Sequence, residues 1–216
     1  MERRDRIKQA YTEHLLDHGD QPASVYSFVK SLEISEREFY EEFASFDAVE
    51  AQVWLGMLES AHQSVTDSPE WEEFNARQRF LTLLYAFFEK ALDHRSFLLV
   101  RFPCAATRAR GASSAERLRQ HLEETSLQII QAGIDSGEIG SRGPLARLYP
   151  RSFAELFLST IDFYLRDESK GFERTDAYIE KTSTLAFDLI GSSAIDSAVD
   201  LVRFLTQRTD IPSPRP

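Results

Sequence analysis

Apolar residues recur along this chain at helical spacing, and strand-like alternation does not occur. The first run, Arg6 to His18, places Ile7, Ala10, Tyr11, Leu15 and Leu16 on its apolar side, and Gly19 suits its C-terminal cap. Ser24 can cap a short second helix whose Val25, Phe28, Val29 and Leu32 follow the i, i+3, i+4, i+7 rule. Ile34 follows as a buried turn residue. Ser35 and Glu38 then have the spacing of a capping box, opening a third helix that buries Phe39 and Phe43, with Tyr40 beside them. Two short helices closed onto a longer first one make a helix-turn-helix unit.

The remainder also reads as helical. Asp47 to about Thr66 forms a connector helix with Val49, Val53, Trp54, Met57 and Leu58 on its apolar side. Ser68-Pro69 starts the next, since proline is favoured in a first turn, and the apolar set widens from Trp71 to about Asp93. Ser96 to Phe102 is again apolar and Pro103 ends it. A loop of small and basic residues, 105–114, precedes a helix from about Ala115 to Ser136, closed by Gly137. Two long helices follow, roughly Leu145 to Asp167 and Arg174 to Ile190. A last amphipathic helix spans Ala194 to Gln207, and residues 209–216 read as a disordered tail. The fold class is therefore all-α.

The Ala10-to-Gly19 helix end, Ser24-Val25, Ile34-Ser35, and Phe39-Tyr40-x-x-Phe43 followed by Ser45 occur in an order that resembles the N-terminal domain of the TetR family of transcriptional regulators. The resemblance covers residues 3–55. It implies a helix-turn-helix domain over 1–46 and a C-terminal helical ligand-binding and dimerisation domain over 47–208. Candidate DNA contacts under this resemblance are Arg3, Arg4, Arg6, Ser35, Arg37 and Tyr40. It also implies a ligand cavity, for which Trp54, Leu84, Tyr85, Phe88, Phe97, Phe102 and Phe157 are candidates. Arg101, Arg108, Arg110, Arg117 and Arg119 are available to an acidic head group, or form a solvated surface. In the family the last two long helices pair with their twofold mates as a four-helix interface. Here that would involve Phe153, Leu156, Thr160 and Tyr164 on one helix and Tyr178, Leu185 and Leu189 on the other. The same aromatic and aliphatic residues also suit a plain monomer core.

Charge changes this picture. Glu33 stands where the family has a turn glycine, and Phe46 where it has a phosphate-contacting lysine. The third helix offers Glu36, Glu38, Glu41 and Glu42 against Arg37, and residues 1–50 carry six basic against twelve acidic side chains. DNA affinity rests largely on neutralising phosphates, so this helix disfavours the duplex. The run Arg3-Arg4-x-Arg6-x-Lys8 can instead serve as an N-terminal arm, or as a solvated helix start. The whole chain, 216 residues with a net charge of −10, has the composition of a soluble protein and repels anionic partners.

Chemistry for catalysis is missing from the sequence: it contains no H-E-x-x-H, C-x-x-C, G-x-S-x-G or Gly-rich phosphate loop, so neither enzyme activity nor a cofactor is expected. His14 and His18, at i, i+4, have a metal-compatible spacing but read as surface histidines, and no metal site is expected. A single cysteine, Cys104, fits a reducing compartment, and neither a secretory leader nor a membrane-length apolar run is visible. The expectation is a cytoplasmic homodimer that binds an apolar small molecule, a lipid or a protein partner through its C-terminal domain. The alternative is a ligand-responsive DNA-binding repressor.

Overall fold

A computed structural model describes residues 2–102, 113–140 and 143–191. The expected Ala194–Gln207 helix, the tail, Cys104, Arg108 and Arg110 lie outside the described residues. Among the described residues the chain is helical and contains no strand. The helices are α1 (Arg3–His18), α2 (Val25–Ser31), α3 (Glu36–Glu42), α4 (Phe46–Thr66), α5 (Ala76–Asp93), α6 (Arg95–Arg101), α7 (Ser113–Asp135), α8 (Tyr149–Arg166) and α9 (Glu173–Gly191).

Local chemistry sets most of these boundaries. The Ser24, Ser35 and Ser45 hydroxyls accept from the backbone N–H groups of Ser27, Glu38 and Ala48, so each serine starts a helix. Glu38 reaches back to the Ser35 N–H and completes the capping box. Gly19 adopts φ 75° and donates its N–H to Leu15 O, stopping α1 in a left-handed turn. The α2 end uses a Schellman arrangement, with Ile34 N–H donated to Val29 O and Glu33 N–H to Lys30 O. Ile34 is half-buried there, less enclosed than its pattern suggested.

Two boundaries differ from the sequence expectation. The helix read as continuous from Trp71 to Asp93 is a 3-10 turn at Pro69–Glu73, a break, and then α5. Asn75 causes the break: it caps α5 through the Gln78 N–H while the Gln78 side chain returns to the Asn75 N–H. The helix expected from Leu145 opens as a 3-10 segment, Gly143–Leu148, and becomes α-helical at Tyr149, where Pro150 occupies the first turn.

The core runs without interruption through both halves of the chain. In the N-terminal unit Ile7, Tyr11 and Leu15 of α1 meet Phe28, Val29, Phe39 and Phe43. Phe46 joins them, with its ring 5.5 Å from Tyr11, 5.3 Å from Phe28 and 5.5 Å from Phe39. The position at which a lysine was expected to meet phosphate is therefore occupied by a packing residue. In the C-terminal half α7 lies along α8 and α4, α4 along α5, and α9 against α5 and α8. Phe80, Phe153 and Phe187 pack edge to face or tilted at the α5–α8–α9 junction.

Candidate nucleic-acid interface and ligand-domain surfaces

The N-terminal basic run is not a free arm. It forms the first turns of α1 and lies against the acidic end of α3. The Arg3 guanidinium sits 3.3 Å from Glu38, 3.1 Å from Glu41 and 3.9 Å from Glu42. Arg4 donates to Glu42 O at 3.2 Å and covers the Phe43 ring at 4.6 Å. Arg6 donates to Leu32 O at 3.2 Å, and Lys8 pairs with Asp5 at 2.8 Å. Ser35 is engaged in its capping box, where hydrogen bonds from its backbone N–H and hydroxyl hold the Glu38 carboxyl below its ordinary pKa. Four of the six candidate DNA contacts are thus engaged at the surface by groups of the protein's own helices. The other two face solvent: Arg37, 88% exposed and 3.4 Å from Glu41, and Tyr40, 55% exposed.

A second ionic feature joins this unit to the rest of the molecule. Glu50 on α4 is 2% exposed and accepts from Arg101 on α6 through Nε at 2.7 Å and a terminal nitrogen at 2.6 Å. The Tyr11 hydroxyl of α1 donates to the same Glu50 oxygen at 3.1 Å. Burial first, and then the Glu50 charge, push the Tyr11 phenol well above its usual range. Arg101, considered above for an acidic ligand, therefore already has an internal carboxylate. Sequence reasoning missed Glu50, although its place next to Val49 and Ala51 on the inward side of α4 carried a signal.

The candidate ligand residues fall into separate groups. Trp54, Phe97 and Phe102 cluster between α4 and α6, with centroids 5.4 and 6.0 Å from Trp54. Phe88 lies tilted against Tyr164 at 5.0 Å, and Phe157 packs edge to face on Phe87 at 5.0 Å, while Leu84 is fully enclosed. Tyr85 does not join either group. About a third exposed beside α9, it has its pKa raised by partial burial and then by the Glu180 and Asp176 charges. Arg119 pairs with Glu116 at 2.5 Å and Glu155 at 3.1 Å, and Arg117 is exposed.

The interface candidates also divide. Thr160 and Tyr164 are enclosed within the protomer, Thr160 returning its hydroxyl to Leu156 O, so they cannot supply surface to a partner. Tyr178 is half-buried and stacks on Phe163 at 4.3 Å. Phe153, Leu156, Leu185 and Leu189, with Leu148 and Ile190, instead line an apolar groove of about 460 Å³ on the α8–α9 face.

His14 and His18 stack at 4.1 Å, and His18 Nδ1 lies 3.0 Å from His14 O. Among the described residues no group of three or more His, Cys, Asp or Glu is placed to hold a metal. No helix among them is long and apolar enough to cross a membrane.

Comparison with known proteins agrees with this architecture. Residues 79–205, more than half of the chain, match the family model described as tetracyclin repressor-like, C-terminal domain. The chain belongs to the TetR family. A solved bacterial regulatory protein of that family from Rhodococcus RHA1 superposes with a TM-score of 0.51 at 16% identity, covering 88% of this chain and 98% of that one. The ketosteroid transcriptional regulator KstR2 of Mycobacterium tuberculosis gives a TM-score of 0.48 at 17% identity, covering 88% of this chain and 96% of that one. No curated protein sequence matches the chain.

Proposed function

We propose that this TetR-family protein acts as a homodimer that senses an apolar small molecule, a lipid or a protein partner through residues 47–208. In this reading its helix-turn-helix, residues 1–46, has lost the usual phosphate grip. The carrying observation is the triple contact of Arg3 with Glu38, Glu41 and Glu42. A guanidinium shared among carboxylates of the helix that should approach the duplex is partly neutralised before it meets a phosphate, and the remaining acids repel phosphate. The reading is of a regulator without catalysis.

A second reading, a ligand-responsive repressor, is favoured by Arg37, Tyr26 and Tyr40. All three project from the helix-turn-helix into solvent. Fluorescence anisotropy with the gene's own upstream DNA and with a scrambled duplex, titrated in salt, separates the readings. The first expects no binding to either duplex at low salt. Tight, selective, salt-sensitive binding would establish the repressor instead. Replacing Glu36, Glu41 and Glu42 by lysine spares the Ser35–Glu38 box and should create salt-dependent affinity for both duplexes. If the wild type already reads an operator, the same changes should erase its selectivity.

A further inference from the structure

A groove of about 440 Å³ opens between α1, α4 and α5, away from the apolar α8–α9 face. Its size falls in the range of small-molecule sites, roughly 300–1,000 Å³. Val53, Gly56 and Met57 of the connector helix line it. Lys8 of α1 contributes to it from one side, and Lys90 and His94 at the end of α5 from the other.

Two features make this groove unusual for the molecule. The first is charge: two of the five lysines in a chain of net −10 line one groove. Lys90 makes no ion pair among the described residues, and Lys8 gives one contact to Asp5 at 2.8 Å, which leaves further ammonium hydrogens. The one carboxylate in the lining, Glu13, accepts from the Gln9 amide at 2.8 Å. The second is Gly56, in the interior of the 21-residue α4. Glycine weakens a helix interior relative to alanine, and close packing does not require it here, since a Cβ would meet nothing within 4 Å. Its missing side chain leaves the wall open.

We propose that this groove is an effector site for a small amphipathic anion, an apolar body bearing one carboxylate, sulfonate or phosphate. The body lies over Val53, Gly56 and Met57, and the anionic group meets the Lys90 ammonium and the free hydrogens of Lys8. Such a ligand touches α1 of the helix-turn-helix and α4 and α5 of the helical body at once. It therefore favours the arrangement in which those three helices meet, and any process that moves α1 relative to α4 is coupled to its binding.

The test uses the full-length protein and two fluorescent probes that share an apolar frame. One is 8-anilinonaphthalene-1-sulfonate, and the other is its neutral analogue N-phenyl-1-naphthylamine. Lys90→Glu should weaken the sulfonate probe by about tenfold or more, as expected for losing a charge-assisted contact, and leave the neutral probe unchanged. Gly56→Leu should weaken both. Leu185→Ser, in the α8–α9 groove, should leave the tight sulfonate site intact. Sulfonate affinity that survives Lys90→Glu overturns the proposal, because that substitution alters a helix-end surface residue and not the core. Loss of the tight site in Leu185→Ser, with Lys90→Glu unaffected, overturns it as well.

Discussion

Glu50 is a carboxylate inside the protein whose shared oxygen contacts Arg101 twice and Tyr11 once. Burying a charge costs several kcal/mol, and the cost is offset only while the partners stay in place. Glu50→Gln should therefore destabilise the protein by about 3 kcal/mol in urea unfolding, because Arg101 keeps its charge and loses its counter-ion. Glu50→Leu combined with Arg101→Met should recover most of that loss. A cost below about 1 kcal/mol for the single change would place the pair with ordinary surface bridges. Glu33 makes a second residue-scale case. It sits at φ 56° in the Schellman turn after α2, a conformation unfavourable for a side chain that is not glycine. Glu33→Gly should stabilise by about 0.5–1 kcal/mol, read as a rise in melting temperature, the relief of strain outweighing added chain entropy. The sequence showed the turn and the missing glycine, since both depend on neighbours in the chain. It did not show the Glu50–Arg101 pair, because pairing across 51 positions depends on the packing of α1, α4 and α6.

At the scale of elements, the helices were legible wherever a cap and an apolar stripe coincided. Ser24, Ser35 and Ser45 are such places, and the helix-turn-helix follows from them. The breaks at Asn75 and before Tyr149 were hidden by apolar runs that continue through them; only the Asn75–Gln78 spacing carried a signal of the first. Nor could the pattern tell which aromatics of α8 face the protomer's interior, since a helix in a core and one at an interface need similar residues. The α8–α9 corner shows how one side chain joins two elements. Asp167, 3% exposed, ends α8 and accepts from the Ser169 N–H at 2.8 Å, the Thr175 N–H at 2.9 Å and the Thr175 hydroxyl at 2.7 Å. Burial alone would raise its pKa, but the Ser169 and Thr175 hydrogen bonds prevail and hold it at about 2. Because the folded value lies below the ordinary 3.8, the stabilisation is present above that pH and is lost as pH falls toward about 2. Asp167→Asn should therefore flatten the fall of stability across that window in acid unfolding. It should also cost about 1–3 kcal/mol at neutral pH, since the amide cannot accept as the carboxylate does. An unchanged acid slope would show that Asp167 does not govern it.

For the whole molecule, the question is what covers the α8–α9 face. Leu148, Leu185 and Leu189 are 56%, 60% and 46% exposed around a groove that Phe153 and Leu156 floor. A contiguous apolar patch of this kind on a chain of net −10 has the character of a contact surface, since isolated apolar side chains would be scattered. A second copy is the proposed cover. A twofold axis presents the same patch from both sides, so each leucine enters the interface once from either copy, and burying its remaining exposed half contributes about 1 kcal/mol. The same symmetry doubles the effect of a substitution. Leu185→Lys with Leu189→Lys introduces four ammonium groups into one interface. Neither side chain belongs to the buried core, so helicity by circular dichroism should be preserved. The expected result in sedimentation velocity is a wild-type species of twice 24.7 kDa and a variant of 24.7 kDa at the same concentration. The wild type's melting temperature should also rise with protein concentration, and the variant's should not. A wild-type chain that sediments as a monomer at tens of micromolar would remove the second copy from this face and leave the groove to another partner.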